Sequence, residues 1–121
     1  MFAIIVNGNL VPSNEPCIKH NDRGFTLGHG VFETMLVKKS AIPAIRYHWD
    51  RLESSLKSID IPSPFSYQEF SAMILQLIKY NQLQDKIAVA RITVSQGESE
   101  RGILTPHQIK PNFVLSALEY T

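Results

Sequence analysis

A single cysteine, no long apolar run and no cluster of basic residues set the first limits on this 121-residue chain. Cys17, having no partner cysteine, excludes an intrachain disulfide and reads as an incidental thiol in a reducing compartment. No stretch stays apolar for the roughly 20 residues needed to cross a bilayer. Residues 1–6 lack the basic start and the length of a signal peptide. A soluble, cytoplasmic protein is therefore expected. A formal charge of +1 without a basic run argues against nucleic acid or an anionic membrane as partner. His20, His29 and His107 stand in loop-like sequence with no second ligand at metal spacing, so no metal is expected. A GxSxG elbow is absent, and nothing marks a serine–histidine–acid triad. There is neither a repeat nor a low-complexity segment.

What remains is globular material. Apolar residues make up 44% and charged residues 19%, in a length that suits one domain with a real core. Residues 2–6 form a short β-rich run, and Asn7-Gly8 before Leu10-Val11 is the strongest local signal for a hairpin. Residues 13–21 read as a connecting loop. Residues 31–37 carry apolar side chains on both faces, which predicts a central strand. Lys38-Lys39-Ser40 is the next turn, and residues 41–47 are expected to return as a strand, with Pro43 suited to an edge or bulge.

Two helices follow. The first, over residues 48–59, places Trp49, Leu52, Leu56 and Ile59 on one stripe and pairs Glu53 with Lys57 on the wet side. His48, Arg51 and Ser55 share a flank of that stripe, a position that can face a cleft. Pro62 and Pro64 end it. Before the second helix, Ser66 with Glu69 makes a capping box, and Phe65 with Phe70 has hydrophobic-staple spacing. Phe70, Met73, Ile74, Leu77 and Ile78 form its buried stripe. Residues 87–95 and 112–120 are the last strong strands. The expected fold is α+β, a largely antiparallel sheet of about six strands packed by two helices.

Glu33 interrupts the apolar strand. It either sits at a rim facing water or needs a structural ion pair, because an unpaired buried carboxylate is costly. Arg91, also in a strand, could pair with Glu33 or with another acid. Upstream lies a loop with Gly24, Gly28 and Gly30, spacing that suggests positive φ or the close approach of another group. A cation near the front of a helix beside such a loop, here Arg51, makes a plausible anion-binding corner.

Five phrases stand in order along the chain: Asp22-Arg23-Gly24, Gly28-x-Gly30, Phe32-Glu33-Thr34, His48-x-x-Arg51-Leu52, and Ser95-Gln96-Gly97 followed by Arg101-Gly102. Together they closely resemble the N-terminal half of the fold-type IV pyridoxal-phosphate enzymes, the class IV aminotransferase family. That family includes branched-chain and D-amino acid aminotransferases and 4-amino-4-deoxychorismate lyases. The resemblance implies that Arg51 contacts the coenzyme phosphate, a task suited to a planar, permanently charged guanidinium. It implies that Phe32 and Arg101 face the substrate, Arg101 helping to hold a carboxylate. A shared wall built from Arg51 and the bend before Phe32 is expected.

The resemblance also implies a lysine that holds the coenzyme covalently, and none of the seven lysines lies in an apolar strand beside the glycine loop. In the family that lysine belongs to a second, C-terminal domain. Residues 1–121 are accordingly expected to be the small N-terminal domain of an enzyme that is homodimeric when complete. By itself the chain should hold no catalytic residue, bind coenzyme poorly and catalyse nothing. Phe32 in place of tyrosine, and Ile103 in place of a histidine, count against D-amino acid aminotransferase activity. Thr34 in place of glycine counts against the branched-chain enzymes. The lyase branch, which cleaves 4-amino-4-deoxychorismate to pyruvate and 4-aminobenzoate in folate synthesis, is resembled best. His29 replaces the usual aspartate. The competing reading is a non-enzymatic module that dimerises or binds a partner.

Overall fold

In the computed structural model, which describes residues 2–99 and 109–121, Asn7-Gly8 closes a hairpin between β1 (Ala3–Val6) and β2 (Asn9–Pro12). Asn7 takes φ 51°, a left-handed conformation that asparagine tolerates and that two-residue hairpin turns require. β3 (Gly30–Lys38), β4 (Ile87–Ser95) and β5 (Asn112–Glu119) complete a five-stranded sheet in the order β2-β1-β5-β4-β3. Every neighbouring pair is antiparallel. The α+β class and the largely antiparallel sheet are as expected from the sequence, with one strand fewer and one helix more among the described residues.

The missing strand is residues 41–47. Ala41 makes a single bridge to Lys38, Ala44 turns the chain with φ 56°, and α2 (Ile45–Ser58) starts at once without a side-chain cap. The helix therefore begins three residues before His48. The extra helix is α1 (Arg23–Leu27), a single short turn-and-a-half inside the glycine loop. A further correction concerns β3, which among the described residues lies at the edge of the sheet and pairs with no strand but β4. Its burial alternates, with Glu33, Met35 and Val37 inward and Phe32 and Thr34 exposed.

α3 (Tyr67–Tyr80) follows its signals closely. Ser66 Oγ accepts from the Glu69 amide at 3.1 Å, Glu69 Oε1 accepts from the Ser66 amide at 2.8 Å, and the Phe65 and Phe70 rings stack at 5.9 Å. Trp49, Leu52 and Leu56 of α2 and Phe70, Ile74, Leu77 and Ile78 of α3 are buried in one cluster with the sheet's inner face. Ala88 and Ala90 of β4 are fully buried there, where small side chains let the helices approach. Ile59 departs from the expected stripe: as the residue that caps α2, it has turned away and is exposed. No described helix is long and apolar enough to cross a membrane.

Candidate functional site

Where α2 passes β3, two of its side chains converge on one carboxylate. Glu33 is 4% exposed, and its Oε1 and Oε2 accept from Arg51 Nε at 3.0 Å and Nη2 at 2.8 Å. His48 Nδ1 lies 2.5 Å from Oε2. The helical spacing i, i+3 places both partners one turn apart on the same flank, as the sequence suggests. Of the two roles open to Glu33, the ion pair is the one found, and Arg91 is not its partner. Burial works to raise the Glu33 carboxyl, but hydrogen bonds and charge from Arg51 and His48 outweigh it and hold it below its ordinary value of 4.5. The hydrogen bond to Glu33 in turn raises Arg51 above its already high value.

This arrangement fixes a pH dependence. A carboxyl whose folded pKa lies below its unfolded one stabilises the fold above the unfolded value, and that stabilisation is lost as pH falls through the folded value. Melting temperature should therefore drop more steeply below about pH 4.5 in the unaltered chain than in Glu33→Gln. Parallel curves for the two proteins would rule out the pair as a source of stability.

Arg51 is anchored without being consumed. Its side chain is 54% exposed, the Tyr47 ring lies 5.4 Å from its Cζ, and the two-toothed contact uses Nε and Nη2, so Nη1 faces away from Glu33. A guanidinium locked in one orientation with a donor to spare can take a phosphate or carboxylate oxygen without losing its own rotational freedom on binding.

On the other face of β3, Phe32 is 60% exposed and carries the Arg91 guanidinium 4.4 Å from its ring centre, a cation–π contact that orients the ring. Phe32 borders a concave space of about 240 Å³ with Ile18, Phe25, Gly28, Gly30 and Ser95 among its walls. Pockets that enclose a whole small ligand begin at roughly 300 Å³, so this one forms part of a site. Arg51 does not line it. The expected common wall is thus divided: Phe32 and the glycine bend border the cavity, and Arg51 stands across the strand. Arg101 and His107 lie outside the described residues.

Two residues that the sequence shows only as part of the Asp22-Arg23-Gly24 phrase help to build the site. Asp22 and Arg23 are each 1% exposed. Asp22 caps α1, and Gly28 closes its other end in left-handed geometry, so an N-cap acid followed six places later by glycine is the signal that marks this helix. Gly24 and Gly30 serve close approach instead: a Cβ on Gly24 would lie 2.6 Å from the Ser95 Cβ, and one on Gly30 would lie 2.8 Å from the Val94 carbonyl oxygen. Arg23 donates from Nε to Gln96 Oε1 at 2.5 Å and from its amide to the Gly97 carbonyl at 2.8 Å. His29 Nδ1 lies 3.3 Å from both Arg23 Nη2 and Gln96 Oε1, which gives that histidine a place against the buried pair. Among the described residues no group of three or more His, Cys, Asp or Glu could hold a metal.

Comparison with known proteins adds identity to this geometry. Aminodeoxychorismate lyase of Bacillus subtilis is 32% identical over 108 residues, 89% of this chain and 37% of its own length. D-alanine aminotransferase of Staphylococcus aureus is 25% identical over 120 residues, 99% of this chain and 42% of its own. The branched-chain amino acid aminotransferase of Escherichia coli superposes with a TM-score of 0.90 at 22% identity, covering 98% of this chain and 41% of that structure, which shows the shared fold. The chain thus spans about two fifths of the proteins it matches. Residues 30–121 match the model of the amino-transferase class IV family, and the chain belongs to that family.

Proposed function

We propose that this chain is the N-terminal, phosphate- and substrate-contacting part of a pyridoxal-phosphate enzyme, and that the complete protein is an aminodeoxychorismate lyase. The observation that carries the proposal is Arg51, held by Glu33 through Nε and Nη2 with its side chain still 54% exposed. In this reading Nη1 meets the coenzyme phosphate, while Phe32 and Arg101 meet the substrate. Because β3 is an edge strand, a ligand laid along its open side can reach Arg51 on one face and Phe32 on the other. The lyase is favoured by the relative at 32% identity and by Phe32, Thr34 and Ile103, which depart from the aminotransferase patterns. A class IV aminotransferase is the second reading, supported by D-alanine aminotransferases that match almost the whole chain.

The residues present fit the coenzyme in part. Arg51 suits its phosphate, but all seven lysines are exposed and none lines the concave space. Pyridoxal phosphate, when bound, supplies the electron sink for cleaving bonds at the amino-bearing carbon. This chain's share is to grip the phosphate, orient the substrate and narrow the entry. The attachment lysine belongs, in the same reading, to polypeptide beyond these residues, and the complete protein is a cytoplasmic homodimer.

Adding pyridoxal phosphate to the 121-residue chain should produce no visible absorbance band from covalently held coenzyme. The complete protein should show one and should release pyruvate from 4-amino-4-deoxychorismate. A stoichiometric band in the short chain, abolished by a single Lys→Ala change, would refute the division of labour. Turnover of amino acids with no pyruvate from aminodeoxychorismate would shift the assignment to an aminotransferase.

A further inference from the structure

Several of the buried polar groups in this fold stand at the Arg51 corner or line the concave space. Among the lining groups is the Asp22 carboxylate, 1% exposed and heavily bonded. Its Oδ1 accepts from the Gly24 amide at 2.8 Å and the Phe25 amide at 3.3 Å. Its Oδ2 accepts from Ser95 Oγ at 2.7 Å and Asn112 Nδ2 at 2.8 Å. One side chain thereby ties α1 to the last residue of β4 and the first residue of β5. The same knot holds the strand ends nearby. Ser95 Oγ accepts from the Gly97 amide, the Ser99 amide donates to the Asn21 carbonyl, and Asn112 Nδ2 also reaches Glu98 Oε2.

We propose that Asp22 is a positioning residue of the substrate-side pocket. It fixes the separation between the Phe25 and Ser95 walls, and so the shape in which Phe32 meets a ligand. This rests on the functional reading above for its catalytic consequence, though the structural consequence stands alone.

The chemistry makes the position selective for a carboxylate. All four partners donate, and an ionised carboxylate is the one small side chain that only accepts. Asparagine has the same shape but one accepting oxygen. If that oxygen keeps the α1 amides, its NH2 group faces the Asn112 NH2. Turning Asn112 over does not relieve the clash, because its Oδ1 accepts from Asn7 Nδ2, and Asn7 Oδ1 in turn accepts from the Phe113 amide. The mismatch would travel along the whole chain of amides. It would meet the core at Phe113, whose ring packs on Phe65, and would leave the hydrogen bonds inside α3 unchanged.

The test uses Asp22→Asn in the complete enzyme, with Asn112→Ala as a second variant that keeps the α1 cap and removes the tie of Asp22 to β5 together with the Asn7 and Glu98 contacts of Asn112. Amide exchange at Gly97 and Phe113 should accelerate about tenfold in Asp22→Asn while amides of α3 keep their rates. KM for aminodeoxychorismate should rise about tenfold, with kcat and pyridoxal phosphate affinity nearly unchanged, and Asn112→Ala should move both readouts in the same direction by less. Unchanged exchange at Gly97 and Phe113 would overturn the proposal. So would uniform acceleration across the fold with KM unaltered, which is what a purely structural residue gives. Should Asp22→Asn fail to fold, Asn112→Ala decides by the same criteria. Should the unaltered enzyme bind no pyridoxal phosphate, the functional reading fails, and the exchange experiment still decides whether Asp22 sets the pocket walls.

Discussion

Arg51→Ala in the complete enzyme should weaken pyridoxal phosphate binding roughly ten- to a hundredfold, the range expected for one charge-assisted contact to a phosphate. Arg51→Lys should fall between the two proteins, because an ammonium keeps the charge but cannot engage both Glu33 oxygens through a planar fork. Glu33→Gln should also weaken binding, although Glu33 touches no ligand in the proposed arrangement. Its amide offers one accepting oxygen where the carboxylate offers two, so Arg51 regains freedom that binding must then remove. Titration of each variant with coenzyme, followed by absorbance, gives the order. An Arg51→Ala enzyme that binds within about twofold of the unaltered one would remove Arg51 from the phosphate site and the proposal with it.

Gly97→Ala should cost about 2–4 kcal/mol of stability, combining strained backbone with overpacking. Gly97 has φ 96°, and a Cβ there would stand 2.1 Å from the Lys110 carbonyl oxygen and 3.1 Å from its carbon. The obstacle is backbone on the approach to β5, so no side-chain rotation can relieve it. Gly97 cannot shift freely either, since its carbonyl accepts from the Arg23 amide. A fall of about 10 °C in melting temperature is expected for a domain of this size. Gly8→Ala makes the control: φ is 92° there, but nothing stands within 4 Å of the added carbon. Equal losses at the two positions would show that backbone strain alone, and not the Lys110 contact, sets the cost.

Legibility followed the range of the interactions. The Asn7-Gly8 hairpin and the Ser66–Glu69 cap are decided within a few residues, and both are found where the sequence puts them. β3 misleads because Phe32 and Leu36 are apolar yet face outward, so a strand with one wet face reads as buried on both. Its place at the edge depends on pairing between Lys38 and Ile87 at one end and Gly30 and Ser95 at the other, about fifty or more positions apart, which no local pattern records. The expected strand at 41–47 fails because Ala44 starts α2 from a left-handed conformation with no capping side chain to announce it. In the candidate site, the His48 and Arg51 flank was readable from helical spacing, and the choice of Glu33 as its partner became visible only once the strand was laid beside the helix. Asp22 and Arg23 were visible as family wording, but their burial was not. Charged residues in a loop look solvated until the strand ends that enclose them are in place.

The marginal position of β3 also bears on how this polypeptide behaves in isolation. Among the described residues its nine-residue backbone is laddered along one side, the other side holding a single bridge from Lys38 to Ala41, and Lys38 is the one exposed charge of the strand available to keep a foreign strand away. A free rim of that length is a template for intermolecular β-pairing. Concentrated preparations of the short polypeptide are therefore prone to growth by rim-to-rim addition, a route closed as soon as any other segment occupies that side.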